Sequence, residues 1–108
     1  MQVQKVFEAL SSPVRRRILA YISARPLPAG EIAARFDISK PSISQHLSVL
    51  ENAGLVKAEK KGQFVYYALV EDSLINTLSG FAMEVCPVGG PLRRESRKEA
   101  KGAEPSAD

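Results

Sequence analysis

The chain has 108 residues, 44% of them hydrophobic and 25% charged, with a formal net charge of +3. That balance is ordinary for a globular protein and fits one domain with a modest core, and the mildly basic charge is compatible with nucleic acid without being diagnostic. The single cysteine, Cys86, excludes an intramolecular disulfide and suits a reducing cytoplasm. No apolar run approaches the roughly 20 residues of a membrane span and no signal-peptide pattern opens the chain, so a cytoplasmic protein without membrane insertion is expected.

Residues Gln2 to Leu10 read as a short helix with Val3, Val6, Phe7 and Leu10 on one face. Ser11-Ser12-Pro13 then supplies a cap and a proline at the first helical position. The second helix runs to about Ala24, with Val14, Ile18, Leu19 and Ile22 inward. Successive residues of Arg15-Arg16-Arg17 fan out around it by about 100° each. One or two of them are expected to bond internally and another, Arg16, to meet phosphate. Arg25 to Ala29, with Pro26 and Pro28, reads as a loop. Gly30 to Phe36 is a third, short helix facing inward through Ile32, Ala33 and Phe36, and Asp37-Ile38-Ser39 is a tight turn.

The fourth helix, to Asn52, is the most informative. Ser39 is its N-cap, Pro41 lies in its first turn and Gly54 sits where a C-terminal cap belongs. Ile43, Leu47 and Leu50 recur at i, i+4 and i+7 and form the core side. Pro41, Ser44, Gln45 and Ser48 lie roughly opposite, flanked by Ser42 and Val49. Exposed helix faces favour Lys, Glu and Arg as good helix formers. Short, uncharged donors and acceptors instead suit close approach to base edges. The bland alternative is a serine-rich solvent face. His46 falls at the boundary between the two sides, where it packs locally or touches phosphate or base. A short helix, a turn and this longer helix make a helix-turn-helix.

After Gly54 the period changes to two. Leu55 to Lys60 and Gln63 to Leu69 read as strands, with Lys61-Gly62 as the hairpin tip. Lys60, Lys61 and Gln63 then form a basic wing for the flanking phosphates or minor groove. The alternative is a charged hairpin that only resists edge-to-edge aggregation. Glu71 to about Cys86 is a last helix whose stripe, Leu74, Ile75, Leu78, Phe81, Ala82 and Val85, exceeds what one small core covers. A dimer seam shared with the first helix is expected, through Val3, Val6, Phe7, Leu74, Leu78, Phe81 and Val85; the alternative is burial of the stripe within its own monomer. Residues 87–108, rich in Pro, Gly and mixed charge, are expected to be a disordered tail after a DNA-binding and dimerisation domain at 1–86. The fold class is therefore mainly α with a small β-hairpin, in the order three helices, recognition helix, wing, helix.

Taken together, Phe7-Glu-Ala-Leu-Ser-Ser-Pro-Val-Arg-Arg-Arg-Ile-Leu, Gly30-Glu-Ile-Ala-Ala-Arg-Phe, Ser42-Ile-Ser-Gln-His-Leu-Ser-Val-Leu-Glu-Asn-Ala-Gly-Leu-Val and Gly62-Gln-Phe-Val-Tyr-Tyr-Ala-Leu resemble the ArsR/SmtB family of winged-helix repressors. The run from Ile38 to Leu47 is most similar to its Sdp-type autorepressor branch. The resemblance implies a homodimer through the first and last helices, double-stranded operator DNA with an inverted repeat, and repression at a promoter. Ser12 stands where many members have aspartate. The family's Cys-x-Cys pair is missing from Glu31-Ile-Ala-Ala-Arg-Phe, and the last helix has no histidine, so neither a metal nor another cofactor is expected. The expected DNA-facing set is Lys40, Pro41, Ser42, Ser44, Gln45, His46, Ser48, Lys60, Lys61, Gln63 and Arg16. A winged-helix protein-interaction module and a repressor switching through Cys86 are the alternatives. No paired carboxylates, Cys–His spacing or Gly-rich phosphate loop points to an enzyme.

Overall fold

The computed structural model describes residues 3–86; the expected tail at 87–108 lies outside them. Among the described residues, five helices and three strands follow in the order α1 (Val3–Leu10), α2 (Pro13–Ile22), β1 (Leu27–Pro28), α3 (Ala29–Ala33), α4 (Lys40–Asn52), β2 (Val56–Lys61), β3 (Phe64–Leu69) and α5 (Glu71–Val85). The chain divides into two compact units, the first ending at Leu74 and the second beginning at Ile75, within α5.

The first unit is built on one core. Val6 and Ala9 of α1, Ile18, Leu19 and Ile22 of α2, Leu27, Ile32, and Ile43, Leu47 and Leu50 of α4 are buried together with Ala53, Leu55 and Val56. The 3.6-residue spacing in α2 and α4 thus marks the inward side as expected. Val14, Ala33 and Phe36 pack against this core only partly buried.

Caps set the helix ends. The Ser12 hydroxyl accepts from the Arg15 N–H at 3.3 Å and opens α2, with Pro13 in its first turn. Ser39 does the same for α4, accepting from the Ser42 N–H at 3.3 Å. At the far end of α4, Gly54 adopts φ 78°. The Leu55 N–H reaches back to the Leu50 carbonyl and the Gly54 N–H to the Glu51 carbonyl, each at 3.0 Å. This pair of bonds is a Schellman motif, which needs a left-handed residue where Gly54 stands.

The sheet departs from expectation in two places. Residues 27–28 are a short strand, not part of a loop: Leu27 pairs with Tyr67 and Pro28 with Tyr66, antiparallel. The strand order is β1-β3-β2, so β1 is an edge, where a proline without an N–H is tolerated. The hairpin turn is Gly62-Gln63, one residue later than expected, because Lys61 pairs with Phe64 as the last rung. Gly62 has φ 65° and no described residue other than glycine has positive φ. A positive then a negative φ in a two-residue loop is the type II′ pattern, which suits the strand twist. Helix α3 also ends early, at Ala33. The Arg35 and Phe36 N–H groups bond to the Ile32 and Ala33 carbonyls, three residues back, so the chain tightens into turns before α4.

Candidate nucleic-acid interface

Helix α4 presents one side to the core and the other to solvent. Lys40, Pro41, Ser44, Gln45 and Ser48 are exposed, while Ser42 and His46 are half-buried. Pro41, Gln45, Ser48 and Asn52 recur at i, i+4, i+7 and i+11, so they form one straight ridge. Asn52 is exposed on that ridge and lies outside the expected DNA-facing set, although the same periodicity points to it. The ridge has no charge. Glu51, the carboxylate of this helix, lies near Tyr67; burial first and Glu51 second hold that phenol above its usual value of 10.0. Ser42 is less available than expected. Its hydroxyl accepts from the Ser39 hydroxyl at 3.0 Å and its N–H bonds to the same oxygen, so the cap holds it.

The arginine triplet divides its work. The last carbonyls of α1 have no partner within the helix and carry the negative end of its dipole. Arg15 answers two of them: its Nε donates to the Ala9 carbonyl at 2.8 Å and its Nη2 to the Glu8 carbonyl at 3.0 Å. Arg16 donates to the third, the Leu10 carbonyl, at 2.6 Å, and remains exposed. Arg17 donates to the Tyr21 hydroxyl at 3.1 Å and lies over the Phe36 ring at 5.2 Å. So Arg16, expected at a phosphate, is engaged in capping α1.

The remaining arm of Arg15 crosses to the recognition helix, with Nη1 3.1 Å from His46 Nδ1. His46 has its pKa lowered from 6.5, first by burial and then by the Arg15 charge. Arg15, Gln45, His46, Ser48, Val49 and Asn52 line a depression of ≈ 330 Å³ beside the ridge. Arg15 lies outside the expected DNA-facing set. Nothing in a run of three arginines says which one faces the fourth helix.

Alternation along the wing separates Lys60 from Lys61. Lys60 shares a sheet face with Val56, which is buried, whereas Lys61 shares the opposite face with Glu59. Lys61 Nζ stands 3.9 Å from Glu59 Oε1 and 5.7 Å from the Tyr66 ring centroid. Such an exposed ion pair is weak. Lys60 has no carboxylate partner among the described residues. Gln63 is in the turn and exposed, and Phe64 beside it is 53% exposed.

Of the side chains expected at a dimer seam, Val6 is a correction. It is fully buried in the core of its own chain and supports α1 from beneath. Leu74 likewise packs against that core, half-buried, while Phe7 is half-buried and Val3 exposed. On α5, Leu78, Phe81 and Val85 are exposed, as are Ile75 and Met83. Cys86 is exposed. No group of three or more His, Cys, Asp or Glu side chains among the described residues could hold a metal ion, and no helix among them is long and apolar enough to cross a membrane.

These features have counterparts in known proteins. Residues 10–59 match a helix-turn-helix domain family. The transcriptional repressor SdpR of Bacillus subtilis is 48% identical over 67 residues, covering 62% of this chain and 74% of SdpR. An ArsR-like transcriptional regulator from Rhodococcus superposes with a TM-score of 0.78 at 27% identity, over 96% of this chain and 94% of that one. The homodimeric winged helix-turn-helix DNA-binding domain of a possible ArsR-family regulator from Mycobacterium bovis gives a TM-score of 0.64 at 26% identity, over 79% and 82% of the two chains. With its helix order, its Schellman-capped α4 and its type II′ wing, the chain belongs to the ArsR/SmtB family of winged-helix transcriptional repressors.

Proposed function

We propose that this protein is a sequence-specific transcriptional repressor that binds an inverted-repeat operator as a homodimer. The observation that carries the reading is the ridge of Pro41, Gln45, Ser48 and Asn52. It is uncharged, short and exposed on a helix whose other side is core. Such a ridge can enter a major groove, where amide and hydroxyl groups read base edges. Lys40 at its start and Lys60 on the wing supply positive charge beside it, and Ser44 and Gln63 add neutral donors. Lys61 and the free edge of Arg16 are flanking phosphate contacts. The exposed Leu78, Phe81 and Val85 of α5, with Val3 and Phe7 of α1, form the seam between copies. Residues 1–86 act as the DNA-binding and dimerisation unit.

The resemblance to SdpR, a transcriptional repressor, supports repression, and the promoter we assign to it is the protein's own. The protein needs no metal or other cofactor, catalyses no reaction and works in the cytoplasm. An inverted repeat read by two recognition helices has half-sites about 34 Å apart. A protein-interaction module would show salt-insensitive binding to its partner and no DNA preference, and a repressor switched by Cys86 would lose DNA on oxidation and regain it on reduction.

The test is a salt-titrated binding isotherm on DNA from upstream of the protein's own gene, against random DNA. One dimer per site with clear selectivity is expected. Gln45→Ala should weaken cognate binding by about 1–3 kcal/mol and relax specificity, whereas Lys60→Ala should weaken both DNAs alike and lower the salt slope by about 1. Equal, weak binding of the wild type to both DNAs would reject the reading.

A further inference from the structure

We propose that Arg15 fixes His46 in a single tautomer, so that the imidazole offers its Nε2–H to a DNA phosphate seated in the depression beside the recognition helix. The inference rests on the DNA-binding reading and adds to it a phosphate site and a positioning residue.

The tautomer follows from the partner's chemistry. A guanidinium has five N–H donors and no acceptor. At 3.1 Å from Arg15 Nη1, His46 Nδ1 must therefore be the acceptor. A neutral imidazole that accepts at Nδ1 carries its proton on Nε2. A protonated ring would instead set an N–H against an N–H, beside a full positive charge. Burial and the nearness of Arg15 both favour the neutral ring. Arg15 is itself held by the Ala9 and Glu8 carbonyls, so the donor that sets the tautomer does not wander.

The depression has the composition of an anion site. Its lining includes one guanidinium, the imidazole, the Gln45 and Asn52 amides and the Ser48 hydroxyl, and no carboxylate. The Arg15 charge behind the ring polarises Nε2–H toward whatever occupies it. The site adjoins the ridge that reads bases, which is where a recognition helix meets the backbone. Phosphate contacts set register and orientation and carry no sequence information. His46 thus acts on affinity and leaves base preference to Gln45. Arg15 acts through His46 and through the end of α1.

His46 is the only histidine in the chain, so its long-range ¹H–¹⁵N correlation spectrum can be read without assignment. The wild type should show an Nε2-protonated, Nδ1-unprotonated ring. Arg15→Met should yield a mixture of tautomers. Two near-isosteres then separate the two ring nitrogens. His46→Gln places an amide donor near the Nε2 position and should keep DNA affinity within about threefold. His46→Asn keeps an acceptor near Nδ1 but withdraws the outward donor. It should lose about tenfold on cognate and random DNA alike, as expected for one hydrogen bond to a charged group. The salt slope should not change, because no charge is removed.

An Nδ1-protonated ring or a mixture in the wild type would overturn the inference, as would wild-type affinity in His46→Asn. A loss confined to cognate DNA would make His46 a base reader instead. If inorganic phosphate moves the His46 resonances as DNA does and competes at equal concentration, the depression is a free-anion site. A wild type that does not prefer cognate DNA would reject the repressor reading and this contact with it, while the tautomer spectrum would still judge the role of Arg15.

Discussion

Gly54 and Gly30 invite the same substitution with opposite results. Gly54 holds φ 78°, and an added Cβ would meet nothing nearer than Ser73 Oγ at 4.0 Å. Crowding is therefore not the penalty in Gly54→Ala; backbone conformation is. The left-handed region costs an L-residue roughly 1–2 kcal/mol. Alanine also stiffens the unfolded chain, which returns about 0.4–1 kcal/mol. The net is about 1 kcal/mol of destabilisation, applied at the hand-off from α4 to β2. Gly30 lies inside α3 without positive φ, and nothing lies within 4 Å of its Cβ position. Gly30→Ala meets no strain, and helix propensity and unfolded-state entropy both favour it, by about 0.5–1 kcal/mol. In thermal melts followed by circular dichroism at one protein concentration, 1 kcal/mol moves the midpoint by roughly 4–8 °C in a domain of this size. Gly54→Ala should melt lower by about that much and Gly30→Ala a few degrees higher. A Gly54→Ala protein that melts at or above the wild type would refute the cap argument, and a Gly30→Ala protein that melts lower would refute the contrast.

Three further outcomes follow from burial, charge and exposure. Leu47, 1% exposed at the centre of the core, should lose about 2–5 kcal/mol on truncation to alanine; a urea midpoint shift worth less than 1 kcal/mol would remove it from the centre. His46 has a folded pKa below 6.5, so between that lowered value and 6.5 the unfolded chain binds more protons. Its contribution is fully present above pH 6.5 and is lost as pH falls through the window below it. Melting temperature should thus fall more steeply below pH 6.5 in the wild type than in His46→Gln, and identical slopes would count against the burial of a neutral ring. Leu78→Glu with Val85→Glu places two carboxylates on the exposed stripe of α5 and should turn a dimer into monomers in sedimentation equilibrium; an unchanged dimer would move the seam elsewhere.

Helix α4 could be read almost whole from the amino-acid order, because its determinants are local. Ser39, Pro41 and Gly54 mark its ends through caps that act within a few residues, and Ile43, Leu47 and Leu50 mark its inner side through the helical period alone. The wing was legible for the same reason, since alternation and one glycine specify a hairpin, although the register slipped by one residue. Family membership followed from these local patterns in combination.

What the order of residues could not reveal depends on partners distant in the chain. Leu27-Pro28 has no strand signature; it is extended because β3, some 40 residues later, offers an edge to it. Val6 has the same apolar character as the side chains of a dimer seam, and only packing against the rest of the core decides that it faces inward. Arg15, Arg16 and Arg17 are identical in chemistry. Their roles diverge because α1 ends beside two of them, and because His46, 31 positions away, comes within hydrogen-bond distance of one. Capping and periodicity act over one or two turns of chain, and so they are written locally. Which cation meets which carbonyl or ring is set by how the helices cross, which is a property of the whole packed core.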